Sequence, residues 1–212
     1  MCTGRVDLSF IFHAFSKGAD GVIIGGCWPG ECHYVTEGNY DALGNMHLSK
    51  KLMQLIGVSP ERLRLEWIAA SEGSRFAQVM TDFVSTVAAL GPLVPRDEIE
   101  NTALQHKLKA VQQIIPYLKL VEREKLRVPS KSERAYNEFY ASDEVSRLLD
   151  DLLVDKLAVG QILSLLHDSP LSTGQISERL RLNPSEVSKH MNSSSRQGLV
   201  KYDLSSKCYA LA

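Results

Sequence analysis

Gly21-Val22-Ile23-Ile24-Gly25-Gly26-Cys27-Trp28-Pro29-Gly30-Glu31-Cys32-His33-Tyr34 is the stretch that decides the fold. Its first six residues are short, β-branched and uncharged, the pattern of a strand buried on both faces. A Gly- and Cys-rich loop follows, from Cys27 to Gly38. Upstream, Asp7 caps a helix whose apolar face is Leu8, Ile11, Phe12 and Phe15, and Gly18 ends it. Downstream, Asn39 opens a helix with Leu48, Leu52, Leu55 and Ile56 on one face, stopped by Gly57. After the turn Ser59-Pro60-Glu61, the alternation of Leu63-Arg64-Leu65-Glu66-Trp67-Ile68 predicts a second strand. Ser71 then caps a helix with Phe76, Val79, Met80, Phe83 and Val87 on its buried side, closed by Gly91-Pro92. Helices alternating with strands imply a parallel sheet covered by helices. Two strands are few for an independent parallel sheet. Cys2 stands where a preceding strand would end, so the domain reads as beginning in mid-sheet, its first strands lost or supplied by a partner.

The remainder is different. Arg96 to Ser130 is charged and helical, with Leu104, Leu108, Val111 and Ile115 at helical spacing and Pro116 as an expected kink. Arg127-Val128-Pro129-Ser130-Lys131-Ser132 reads as a linker. Val159, Ile162, Leu163 and Leu166 predict a helix ending near His167-Asp168. Ser172 caps a short helix carrying Ile176 and Leu180, and Asn183-Pro184-Ser185 turns into a third, Ser185 to Gly198. Leu199 to Ala212 reads as a hairpin through Ser205-Ser206. Three helices and a hairpin form a winged helix-turn-helix plan. The expected organisation is thus an incomplete α/β domain over 1–93, a helical segment and linker over 94–150, and a winged helix over 151–212.

The 212 residues carry 24 Lys and Arg against 25 Asp and Glu, a net charge of −1. That balance gives no whole-chain attraction to nucleic acid or membrane. No apolar run is long enough to span a bilayer, and the first residues lack the apolar core of a signal peptide, so a cytoplasmic location is expected. The four cysteines, Cys2, Cys27, Cys32 and Cys208, are not expected to form structural disulfides in that compartment.

Three of the four fall in the first 32 residues. Sites in open α/β sheets gather at the carboxyl ends of strands. Cys27 and Cys32 follow one strand, and Cys2 opens onto the same edge, so three thiolates are expected to converge. Soft thiolates favour iron–sulfur clusters or zinc, and Gly25, Gly26 and Gly30 would let backbone N–H groups approach the sulfurs. The residues alone also admit a structural zinc site completed by His33, or ordinary free thiols on a glycine turn. Trp28 is expected to shield the loop and Trp67 to pack; His13 reads as a surface or packed histidine, and Cys208 as an incidental thiol. No nucleophile–base motif, phosphate loop or dinucleotide fingerprint supports hydrolytic or group-transfer catalysis.

Met1-Cys2-Thr3-Gly4-Arg5-Val6-Asp7, Lys17-Gly18-Ala19-Asp20-Gly21-Val22, Gly26-Cys27, Gly30-Glu31-Cys32-His33-Tyr34, Gly38-Asn39-Tyr40, Pro60 to Ile68 and Ala70-Ser71-Glu72-Gly73 together resemble the delta-subunit family of methyl-viologen-reducing hydrogenases (MvhD), over roughly residues 1 to 92. The resemblance implies a small flavodoxin-like α/β domain holding a 2Fe–2S cluster, with Cys2, Cys27 and Cys32 in the cluster region. It implies electron transfer from a hydrogenase or formate dehydrogenase to the flavin subunit of a heterodisulfide-reductase-like complex. Such an oxidoreductase component is an electron carrier and not catalytic alone. The family's opening strand, cysteine-rich turn, helix and second strand have no counterpart here, so three thiolates leave the four-ligand set incomplete. A selenocysteine codon in that turn, read as a stop, would explain a start at Met1.

The C-terminal part resembles the winged helix of the arsenic-repressor type in Leu171-Ser172-Thr173-Gly174-Gln175-Ile176, Ser185-Glu186-Val187-Ser188-Lys189-His190-Met191 and Gly198-Leu199-Val200. By that resemblance Ser188, Lys189 and His190 would face a major groove. Arg196 lies on the same helix, and Lys201 and Lys207 on the wing could meet phosphates. Winged helices also dock proteins, and the mild positive balance here favours docking over DNA. The alternatives to an electron carrier are a redox-sensing winged-helix regulator and a cluster-less assembly scaffold.

Overall fold

The computed structural model describes residues 2–95 and 97–212; Met1 and Arg96, which open the family resemblance and the helical segment, lie outside the described residues. The chain divides into two compact units, one of residues 1–95 with 115–148, the other of residues 96–114 with 149–212.

The first unit is built on α1 (Leu8–Ser16), β1 (Val22–Gly26), α2 (Gly38–Leu55), β2 (Leu63–Trp67) and α3 (Gly73–Leu90). Asp7 caps α1 by accepting from the Ser9 N–H at 2.8 Å, and Leu8, Ile11, Phe12 and Phe15 are buried, as their spacing predicts. β1 and β2 pair in parallel, Val22 with Leu63 through Gly26 with Trp67. Both strands therefore end at one edge, and the cysteine loop leaves β1 there. A 3₁₀ turn, Thr3–Arg5, carries Cys2 at its start.

Two details depart from the sequence expectation. Helix α3 begins at Gly73 with Glu72 as its unassisted cap residue, so Ser71 does not cap it. Phe76 is 53% exposed, while Val79 and Phe83 are buried. A two-stranded sheet covers only part of the face that the apolar periodicity marks out.

Residues 127–132 do not run on as a free linker. Val128 is buried with Ala42, Leu43, Trp67 and Tyr136, and Ser132 caps α5 (Glu133–Tyr140) by accepting from the Ala135 N–H. Helix α4 (Glu98–Lys125) continues through Pro116, and α6 (Asp143–Asp168) starts sixteen residues before Val159. Both helices contribute residues to each unit.

The second unit places α6, α7 (Thr173–Leu180) and α8 (Pro184–Arg196) before the antiparallel pair β3 (Val200–Asp203) and β4 (Cys208–Leu211). Capping boxes at Ser172 and Asn183 fix the starts of α7 and α8. Ile162, Leu165, Leu166, Leu171, Ile176, Val187, Met191 and Val200 form one core. This is the winged-helix arrangement read from the sequence. Among the described residues no helix is long and apolar enough to cross a membrane.

Candidate iron–sulfur site

Backbone packing brings the first cysteine to the loop. A Cβ on Gly4 would lie 2.6 Å from the Gly38 carbonyl oxygen and 2.9 Å from its Cα, so the two glycines touch backbone to backbone. That contact sets the arm carrying Cys2 against the first turn of α2. Thr3 ties the same arm to the end of β1, its hydroxyl donating to the Gly25 carbonyl at 2.8 Å. The outcome is a Cys2 Sγ to Cys32 Sγ separation of 3.7 Å.

Gly38 closes the pair from the other side. A Cβ there would lie 2.5 Å from the Cys32 sulfur and 2.7 Å from the Cys2 sulfur. The close backbone approach expected of Gly25, Gly26 and Gly30 is thus made by Gly38. The space beside Gly25 and Gly30 is open, and Gly26 instead makes room for the Trp67 ring and Thr3. Gly30 has φ of 92°, a left-handed conformation that allows the loop to turn between Cys27 and Cys32.

Asn39, 4% exposed, has a role at the site that the sequence did not show. Read as a helix opener, it does lie in the first turn of α2, and it also fixes the loop: its side-chain amide donates to the Cys27 carbonyl at 2.6 Å. Cys32 itself is buried. Burial pushes its thiol up, but the backbone N–H of Tyr34, the Cys2 and Cys27 thiols and the backbone N–H of Asn39 together hold it below the usual thiol value. Tyr34 and Asn39 flank the N-terminus of α2, where N–H groups favour negative charge. Cys27 behaves oppositely: burial, then the neighbouring Cys32, push its thiol up.

Trp28 is held over the loop. Its indole N–H donates to Glu72 at 2.8 Å, and the Arg75 guanidinium lies 5.0 Å from its ring centroid. Glu72 also accepts from the Ala69 N–H at 2.7 Å; these two bonds, with Arg75 beside it, hold its carboxyl below the usual range. Trp67 is buried, packed with Ala42 and Tyr136. His33 is exposed and stacks edge-on with Tyr34.

Two thiolates on one tetrahedral metal, with bonds of ~2.3 Å, stand about 3.8 Å apart. The Cys2–Cys32 pair has that spacing. Cys27 interacts with both thiols but does not converge equally; among the described residues no group of three or more His, Cys, Asp or Glu side chains is gathered as a metal-holding cluster. The Cys2 and Cys32 donor pair therefore fits two ligands of one metal ion, with the Cys27 thiol adjoining.

In the second unit, Ser188 donates to its own helix at the Pro184 carbonyl, and His190 is 7% exposed and turned toward Asp155 at 3.9 Å. Lys189 is exposed and lies 3.4 Å from the same carboxylate. The outward side chains of α8 include Lys189, Asn192 and Arg196, and Lys201 is exposed on the wing. Asn192 was not marked by the sequence motif, because only the packing of His190 and Met191 shows which face turns out. Cys208 donates weakly to the Ser206 carbonyl.

A parallel-sheet domain with thiols gathered at its carboxyl edge, joined to a winged helix, defines a thiol-site protein with a helix-turn-helix extension. Comparison with known proteins gives the family. Residues 1–91 match the model of the methyl-viologen-reducing hydrogenase, delta subunit, and residues 159–202 that of the bacterial regulatory protein, arsR family. The chain is 56% identical over 91 residues to the iron-sulfur subunit of the F420-non-reducing hydrogenase of Archaeoglobus profundus, covering 43% of this chain and 66% of that one. It is 46% identical over 102 residues to the iron-sulfur subunit of the F420-non-reducing hydrogenase vhc of Methanococcus voltae, covering 48% and 68%. Over 103 residues it is 42% identical to one subunit of the ferredoxin:CoB-CoM heterodisulfide reductase of Methanosarcina mazei, covering 49% of this chain and 13% of that one. The chain thus spans about two thirds of the hydrogenase proteins and a small part of the reductase protein. It belongs to the methyl-viologen-reducing hydrogenase delta-subunit family, whose relatives are hydrogenase and heterodisulfide reductase subunits.

Proposed function

We propose that the chain is an electron-transfer subunit of a cytoplasmic hydrogenase or heterodisulfide-reductase-like complex, binding a 2Fe–2S cluster through Cys2, Cys27 and Cys32. The observation that carries this reading is the 3.7 Å separation of Cys2 and Cys32 across Gly38, the spacing of two thiolates on one metal. When bound, the cluster would accept and release single electrons. The chain's own residues hold it: Gly4 and Gly38 allow the thiols to meet, Asn39 and Tyr34 favour negative charge at Cys32, and Trp28 covers the loop under the hold of Glu72 and Arg75. The fourth ligand would come from a polypeptide segment outside residues 2–212.

In this reading residues 1–93 carry the cluster, 94–150 connect, and 151–212 dock a protein partner. The docking role is supported by the wing, where Leu204 is 84% and Tyr202 45% exposed. It is also supported by the recognition helix, where Lys189 and His190 both turn toward Asp155. The electron acceptor is a flavin subunit of the heterodisulfide-reductase type, and the donor a hydrogenase or a formate dehydrogenase.

Anaerobic mixing of the dithionite-reduced, cluster-loaded chain with such a flavin subunit tests the reading. Bleaching of the flavin absorption at a rate that rises with the concentration of the chain is expected. An oxidised flavin that persists beside a reduced cluster would sink it.

A second reading, a redox-sensing regulator, rests on the exposed polar face of α8 and on the match of residues 159–202. It requires salt-dependent binding to duplex DNA that changes with oxidation.

A further inference from the structure

The geometry points to a second state of the same cysteines: we propose that, in the cluster-free chain, Cys2 and Cys32 close into a reversible disulfide that stores both thiols until a cluster is inserted. The biological sense of this inference rests on the cluster reading above; the chemistry does not.

Every thiol of the described chain is free, yet Cys2 and Cys32 are already side by side although thirty residues separate them. Bond formation needs the sulfurs to close by only about 1.7 Å, from 3.7 Å to the ~2.05 Å of a disulfide. The entropy of bringing the two segments together has already been met by the Gly4–Gly38 contact and by the bond from Thr3 to Gly25.

Cys27, whose thiol also interacts with Cys32, is the competing partner, and its backbone is anchored. The Asn39 amide fixes the Cys27 carbonyl at 2.6 Å, and the clamp of Glu72 and Arg75 on Trp28 fixes the next residue. Cys32 is 5% exposed, whereas Cys2 is half-buried, so an oxidant meets Cys2 first.

The step balances with a low-molecular-weight disulfide as oxidant. The Cys2 thiolate attacks one sulfur of the oxidant, forming a mixed disulfide and releasing one small thiol. Cys32 then attacks the Cys2 sulfur, the protein disulfide forms, and the second small thiol leaves with the remaining proton. The protein loses two electrons and two protons, and the oxidant gains both. A cellular dithiol reverses the reaction. Both sulfurs are thereby kept from irreversible oxidation to sulfinate.

The test uses the full chain, stripped of metal with a chelator under reducing conditions, freed of reductant and incubated with oxidised glutathione. Free thiols are then alkylated and the peptides mapped by mass. The expected result is a dominant Cys2–Cys32 cross-linked peptide, with Cys27 and Cys208 alkylated. The cross-link should persist in Cys27→Ser, disappear in Cys32→Ser, and yield full thiol titre after dithiothreitol. A dominant Cys27–Cys32 cross-link, a persisting glutathione adduct on Cys2, or no cross-link would overturn the proposal. Iron and sulfide assays on the untreated protein report separately on the cluster, so an iron-free protein that still forms the cross-link counts against the cluster alone.

Discussion

At the scale of single residues, two glycines decide whether the thiols meet. Gly38 faces the sulfurs themselves, the mobile ends of short side chains, whereas Gly4 faces backbone. Their replacements should therefore differ. In Gly38→Ala the sulfurs can swing away, and the first position of a helix accepts alanine, so the fold should survive while iron incorporation falls several-fold. In Gly4→Ala the new methyl meets the Gly38 backbone, and overpacking of this kind costs roughly 1–3 kcal/mol. Thermal unfolding with iron content per chain, measured on both variants, checks the pair of outcomes. Equal iron in Gly38→Ala and the parent would show that the thiol pair does not hold the metal. The cysteines were legible in the sequence because thiols are chemically rare and clustered near the N-terminus. Gly38 and Asn39 were not, because their roles exist only once the Cys2 arm lies against α2.

At the scale of elements, the C-terminal half of α4 carries a half-buried carboxylate toward α2 and α5. A Cβ on Gly44 would lie 3.1 Å from a Glu122 oxygen and 3.4 Å from the Tyr140 hydroxyl. Burial, then the nearby Asp41, push Glu122 up to about 7, only partly offset by Lys119. Tyr140 is raised as well, by burial first and then by Glu122. The sign follows from the direction: a carboxyl raised in the folded state above its ordinary value of about 4.5 favours the folded state when protonated. The stabilisation is whole below about pH 4.5 and is lost as pH rises through about 7. The loss is on the order of 3 kcal/mol at ~1.4 kcal/mol per unit. Urea unfolding followed by circular dichroism from pH 5 to 8 should show this decline in the parent and a flatter profile in Glu122→Gln. A parent profile that rises over this range would contradict it.

The same scale explains what periodicity could and could not show. Helix α1 was readable because its cap and its four buried residues lie within one short run. Helix α3 was readable in length but not in burial, since Phe76 has the right spacing for a face that the small sheet does not cover. Helix α5 was missed: eight residues rich in charge and tyrosine, following a Pro-containing stretch, carry little apolar pattern.

At the scale of the whole molecule, two compact units share one chain. The division into units crosses α4 and α6, which no sequence pattern marks, because membership depends on which neighbours a turn packs against. Charge on the winged helix is mild and partly drawn to Asp155. The electron-carrier account therefore expects no retardation of duplex DNA at ~0.15 M salt, where electrostatic binding is already weakened. It also expects Leu204→Ser to reduce co-purification of the partner complex while leaving cluster content unchanged. DNA retardation that is lost in Arg196→Ala would favour the regulator instead.

The central claim is that these cysteines hold an electron-carrying cluster, and electron paramagnetic resonance tests it most directly. The full chain would be loaded anaerobically with iron and sulfide and recorded before and after dithionite reduction, beside Cys32→Ser. The account predicts silence when oxidised, a spin-one-half iron–sulfur signal on reduction, and loss of that signal in the variant. Zinc in place of iron, or an unchanged signal in Cys32→Ser, would contradict it.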